Sequence, residues 1–140
     1  MIKVLIDTNV CLDAAQYRKP FAITALKIFA RSEKNDFTGF VAAHTFDTLF
    51  YILSKTYSKK QTYDALEGLR GTVQICSVDK TVIDKALNLK WHDFEDAIHY
   101  TAAQTAGCQA IVTRNKKDFI KGELPVFSPL ELLDYLDQQS

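Results

Sequence analysis

Residues 2–9 read IKVLIDTN, and the fold turns on how this stretch is read. IKVLI is a continuous β-branched and aliphatic run with little polar alternation, the pattern of a strand buried on both faces within a parallel sheet. The polar triplet Asp7-Thr8-Asn9 then leaves the strand at its carboxyl end. Further along, FTGFVA (37–42), VQIC (73–76), QAIVT (109–113) and PVFS (125–128) repeat the short apolar pattern. Helical segments are expected between them. A short turn covers 10–15, and Pro20 suits the first turn of a helix ending near Arg31. An apolar helix runs from Thr45 to Lys55, where Phe46, Leu49, Phe50 and Leu53 at helical spacing read as core packing, with a partner-binding groove as the minority reading. Ser58 and Gln61 have capping-box spacing for a helix to Arg70, and Asp79 and Asp93 each start another. Gly107 ends the Asp93 helix, and Ser128-Pro129-Leu130-Glu131 opens the last. Strands alternating with helices long enough for crossovers imply an α/β fold, a three-layer α/β/α sandwich around a mostly parallel sheet of four or five strands.

The whole chain limits the function classes. Its 140 residues suit a single domain, 1–140, with one real core. With 47% hydrophobic and 24% charged residues it is neither disordered nor fibrous. Basic and acidic residues balance at 17 each, so no global positive charge announces a nucleic-acid binder. A local excess does occur at Arg114, Lys116, Lys117 and Lys121, equally readable as a solvated loop or as phosphate contacts. Cys11, Cys76 and Cys108 are scattered and lack metal-ligand spacing, which suits a reducing cytoplasm. No apolar run is long enough to cross a membrane, and the expected location is cytoplasmic. No glycine-rich phosphate loop is present, which excludes P-loop nucleotide hydrolysis.

In open parallel sheets, ligands bind beyond the carboxyl ends of the strands. Four acids from distant segments are expected there. Asp7 follows the first strand, and Asp47 lies in the first turn of the helix after FTGFVA. Asp96 lies in the first turn of the Asp93 helix, and Asp118 comes one turn after QAIVT. Any one of them is readable as a cap or turn former. Gathered at one site they repel and raise one another's pKa unless a cation neutralises them, and a hard divalent ion, Mg²⁺ or Mn²⁺, is the natural occupant.

The stretch WHDFEDAIHY (91–100) holds three acids whose bland explanation is the helix macrodipole, worth roughly 0.3–1 kcal/mol each. At 100° per residue, Phe94, Ala97, Ile98, Thr101 and Thr105 form the expected core stripe. Asp93 and Asp96 share one flank, and Glu95 projects toward the flank carrying His99, as a solvated first-turn charge. His92 and His99 lack ligand spacing and are assigned to the surface, His44 is a candidate cap, and Trp91 is a core or junction aromatic. Asp13 is readable either as a helix-turn acid or as a support for the site.

DTNVCLD (7–13), DFEDAIHYTAA (93–103) and IVTRNKKDF (111–119) resemble the three signature blocks of PIN-domain nucleases. The likeness is to bacterial and archaeal members that serve as toxins of toxin–antitoxin systems, and it spans nearly the whole chain. It implies an Mg²⁺- or Mn²⁺-dependent endoribonuclease acting on single-stranded or structured RNA and leaving a 5′-phosphate and a 3′-hydroxyl. Asp7 and Asp96 would be catalytic metal ligands, with Asp118 or Asn115 completing the set. Thr8, Asn9 and Thr113 would hold the acids by hydrogen bonds, Asp93 would support them, and Arg114, Lys116 and Lys117 would contact RNA phosphates. A cognate antitoxin and a homodimer are the implied partners. One departure stands out: the family commonly has a glutamate in the helix after the second strand, where HTFDTLFYIL offers only Asp47. That substitution, with the neutral net charge, supports the alternative of a PIN-like RNA- or protein-binding module without turnover.

Overall fold

In the computed structural model, which describes residues 1–139, five parallel strands form one sheet in the order β3-β2-β1-β4-β5. The strands are β1 (Lys3–Ile6), β2 (Thr38–Ala42), β3 (Gln74–Cys76), β4 (Ala110–Val112) and β5 (Val126–Phe127). Seven helices connect and flank them: α1 (Thr8–Ala15), α2 (Ala22–Glu33), α3 (Ala43–Leu53), α4 (Lys59–Arg70), α5 (Lys80–Leu89), α6 (Phe94–Thr105) and α7 (Pro129–Gln138).

The first strand works as its composition requires. Val4 and Ile6 enter one apolar cluster, with residues of α1, α2, α3 and α7, while Leu5 enters a second with residues of α5 and α6. Ala110 and Val112 against Ile111 repeat this division on β4. Successive side chains point to opposite faces, so a strand covered by helices on both sides has no place for polar alternation. Val4, Leu5 and Ile6, the last three residues of β1, are fully buried.

β1 is the centre of the sheet. The chain moves outward through β2 and β3, then returns to the other side of β1 as β4 and continues to β5. The direction of winding reverses between β2 and β4, and the crevice at the carboxyl ends of β1 and β4 is the place where such sheets bind ligands. Asp7 and Thr113 stand at those two ends.

Local signals are realised closely. Ser58–Gln61 and Ser128–Glu131 form reciprocal capping boxes, and Asp79 and Asp93 accept the Val82 and Asp96 backbone N–H groups. Gly107, at φ 79°, takes the left-handed turn that ends α6. On α3, Leu49 and Leu53 are core residues, Phe46 packs half-buried against the same cluster, and Phe50 is half-buried.

Several expectations are corrected. The helix after β1 starts at Thr8, two residues before position 10, because Asp7 caps it. Pro20 lies ahead of α2, whose N-cap is Phe21. On α6, Phe94 and Thr105 are exposed, whereas every residue from Ala97 to Ala103 is buried. This helix packs against both α5 and the sheet, so its middle has no solvent face and only its ends reach water. His99, assigned to the surface, is fully buried. Among the described residues no helix is long and apolar enough to cross a membrane.

Candidate active site

Asp7 is the fixed point of the site. It is 6% exposed, and its carboxylate is held from two directions. Oδ1 accepts the Thr8 backbone N–H at 2.8 Å, and Oδ2 accepts the Thr113 hydroxyl at 2.8 Å. The Thr113 Oγ1 in turn accepts from the Asn115 backbone N–H (3.1 Å) and from Asn9 Nδ2 (3.3 Å). Asn9 Oδ1 receives the Arg114 N–H at 3.4 Å, which joins the ends of β1 and β4. The burial of such a carboxylate is tolerable because charge-assisted hydrogen bonds replace its water. Of the supporting residues, Thr113 and the Thr8 backbone bond Asp7 directly, whereas Asn9 and Asn115 act one step away through Thr113.

Asp96 enters from α6, and Asp93 caps that helix through the Asp96 N–H at 3.1 Å. The half-buried Asp96 carboxyl is pushed up to about 7, first by burial and then by the charges of Asp93, Asp7, Asp118 and Glu95. Asp7, just after β1, and Asp118, in the 3-10 turn Lys116–Phe119, thus both lie near enough for their charge to act on Asp96. Asp93, Asp96 and Asp118 line an open cleft of about 180 Å³ with Trp91, His92, Lys117 and Lys121. Beneath it, the Trp91 ring packs on Tyr100 (5.0 Å) and Phe119 (6.4 Å), so Trp91 belongs to the junction between α6 and the 3-10 turn. Tyr100 Oη accepts the Glu123 N–H at 2.8 Å, and a Cβ on Gly122 would strike the Tyr100 ring. These contacts hold the segment bearing Asp118 against the helix bearing Asp96.

These donors are all oxygen and come from three separate segments, the ligand type that a hard divalent cation takes.

Asp47 stands apart. It lies beyond the first turn of α3, in contrast to the first-turn position expected, because that helix starts at Ala43 with Ala42 as its N-cap. Its side chain is exposed, and it is absent from the carboxylates whose charge acts on Asp96. What the start of α3 brings toward Asp7 is Thr45 and His44. Thr45 Oγ1 is 3.0 Å from Thr8 Oγ1, and the His44 and His99 rings are 4.7 Å apart. His44 makes no capping hydrogen bond. His99 Nε2 lies 3.2 Å from Thr8 Oγ1 and 3.5 Å from Asp7 Oδ1, and burial keeps its ring neutral by pushing its pKa down. Glu95, expected as a solvated charge, has its Oε2 3.6 Å from His44 Nε2, which holds its carboxyl below the usual range. The available signal for this group was the i, i+4 spacing of Glu95 and His99, which puts both on one helix face.

The basic residues divide as well. Arg114 Nε donates to the buried Asp13 at 2.6 Å, and its guanidinium lies 4.1 Å from the centre of the Phe21 ring. Asp13 is thus a buried ion-pair partner that also meets Arg18 at 4.0 Å. Lys116 pairs with Glu131 at 2.9 Å. Lys117 and Lys121 make no ion pair among the described residues, and both reach the acidic cleft.

Sequence and structure comparisons agree with this architecture. The PIN domain family model matches residues 3–117, and the chain belongs to that family. It is 27% identical to Ribonuclease VapC1 of Aquifex aeolicus over 140 aligned residues, covering 94% of each chain. A toxin–antitoxin complex from Klebsiella pneumoniae contains a chain of the same fold, with a TM-score of 0.68 at 23% identity, covering 90% of this chain and 97% of that one. The sarcin–ricin loop cleaving toxin VapC20 of Mycobacterium tuberculosis has a TM-score of 0.63 at 16% identity, covering 77% of this chain and 86% of that one.

Proposed function

We propose that this protein is a divalent-metal-dependent endoribonuclease, using Mg²⁺ or Mn²⁺, and the toxin of a toxin–antitoxin pair. The observation that carries the reading is the approach of Asp7, Asp96 and Asp118, from separate segments, to the crevice at the carboxyl ends of β1 and β4, where burial first, and then the charges of Asp93, Asp7, Asp118 and Glu95, push the Asp96 carboxyl up to about 7. Membership of the PIN domain family and likeness to a curated ribonuclease support it. RNA as substrate, an antitoxin protein as inhibitor and a homodimer as the working form extend the same reading, on family likeness.

Asp7, Asp96 and Asp118 would hold the cation, with Asp7 kept in one orientation by Thr8 and Thr113. A divalent cation there supplies Lewis acidity toward a phosphoryl oxygen and lowers the pKa of a water. Lys117 and Lys121 offer charge to the flanking phosphates, since neither is committed to a carboxylate. Arg114 and Lys116 have carboxylate partners, so their part in RNA binding requires exchanging Asp13 or Glu131 for phosphate. The cleft is open, which suits a strand or loop whose bases are splayed out.

The test compares cleavage of mixed RNA by the wild type and Asp96→Asn in Mn²⁺. Cleavage by the wild type alone is expected. Equal cleavage by both would sink the site assignment, and cleavage by neither would favour a binding module without turnover.

A further inference from the structure

A second group of ligand-type side chains lies beside the acid cluster. His44 from α3 with Glu95 and His99 from α6 each offer one ligand atom, and these atoms lie within 4.8 Å of one another. Nδ1 of His44 and Nδ1 of His99 are buried without a hydrogen-bond partner, and His44 Nε2 has only the 3.6 Å approach of Glu95 Oε2. Buried polar atoms are ordinarily satisfied, so unpartnered imidazole nitrogens in one small volume need an explanation. His99 is fully buried and cannot recover its lost hydrogen bonds from solvent. None of the three residues lines the Asp93–Asp96–Asp118 cleft.

From this geometry we propose that His44, Glu95 and His99 form a binding site for a divalent transition-metal cation of the Zn²⁺ class. The ligand chemistry selects the ion: imidazole nitrogen suits Zn²⁺, Co²⁺ or Ni²⁺, whereas carboxylates alone suit Mg²⁺ and Mn²⁺. Tetrahedral coordination at about 2.0–2.1 Å sets ligand atoms roughly 3.4 Å apart, and His44 Nε2 and Glu95 Oε2 already stand 3.6 Å apart. Metal-binding histidines usually have their second nitrogen fixed by a carboxylate or another acceptor. Here Nε2 of His99 meets Thr8 Oγ1 and Asp7 Oδ1. The exposed Glu95 leaves a route for the ion from solvent.

This site does not depend on the nuclease reading, and its test is independent of cleavage. Chelator-treated full-length protein is titrated with Co²⁺ and followed by visible absorption, then with Zn²⁺ by calorimetry. The wild type is expected to take one equivalent of Co²⁺ with the intense bands of a low-coordinate site containing nitrogen, which Zn²⁺ bleaches. His44→Gln and Glu95→Gln, both at partly exposed positions, should each weaken binding by at least about tenfold, while Asp96→Asn leaves the bands in place. Wild-type affinity and spectrum in both variants would overturn the proposal, as would absence of the bands from the wild type. So would loss of the bands in Asp96→Asn alone, which would put the ion in the acid cluster.

Discussion

Two faces of α6 carry opposite chemistries from adjacent residues. Asp96 lies among the carboxylates of Asp93, Asp7 and Asp118, oxygen donors of the kind a hard cation takes. Glu95 and His99, on the other face, meet His44 in a setting of imidazole and carboxylate. Asp7 touches both, since its charge acts on Asp96 and its Oδ1 lies 3.5 Å from His99 Nε2. A step of 100° per residue is enough to deliver neighbouring side chains to sites of different ion preference.

The contrast is open to direct attack. The largest effect is expected from Asp96→Asn, which should reduce Mn²⁺-dependent cleavage by about 10³-fold, the scale of several kcal/mol of metal-derived stabilisation. Retention of near wild-type cleavage would move the chemistry off the acid face. Thr113→Val removes the hydroxyl that holds Asp7 Oδ2 and should weaken Mn²⁺ binding by roughly 10–100-fold in a calorimetric titration, with little change at the nitrogen face.

A third expectation follows from the raised Asp96 carboxyl. The folded chain keeps that proton up to about pH 7, against an ordinary value of 3.8, so between those values it binds more protons than the unfolded chain. The stability Asp96 contributes is therefore fully present below pH 3.8 and lost as the pH rises through about 7. Asp96→Asn cannot ionise. Without metal it should exceed the wild type in stability above pH 7 by about 1–2 kcal/mol, after discounting for partial exposure, and the gap should close in acid. Urea unfolding in chelator across this pH range measures it, and a pH-independent difference would refute the electrostatic account. Asp47→Asn should have the smallest effect, within about 0.5 kcal/mol in stability and about twofold in cleavage, because the side chain is exposed and away from Asp96. A loss matching that of Asp96→Asn would bring Asp47 back into the site.

Much of the acid face was readable in advance because its determinants are local. Asp7 directly follows a strand, Asp93 is a cap, and the Asp118 segment follows another strand, so each position is set by a few neighbouring residues. The nitrogen face was not readable. His99 looks like a surface residue when α6 is taken as a helix with one buried stripe, yet α6 is covered by both α5 and the sheet. Asp47 erred the other way, since moving the start of α3 to Ala43 carries it beyond the first turn. Arg114 looked free for phosphate because nothing within a few residues reveals its pairing with Asp13, which is distant in the chain.

The amino-acid sequence by itself determined the buried strands, the capped helices and the parallel α/β arrangement, because periodicity, capping and turn chemistry act over a few residues. Only the tertiary structure decided which side chains share a volume: His44 with Glu95 and His99, Arg114 with Asp13, and Thr113 with Asp7. Those pairings depend on how α1, α3, α6 and β4 pack around β1, and packing of segments far apart in sequence leaves no periodic trace in any one of them.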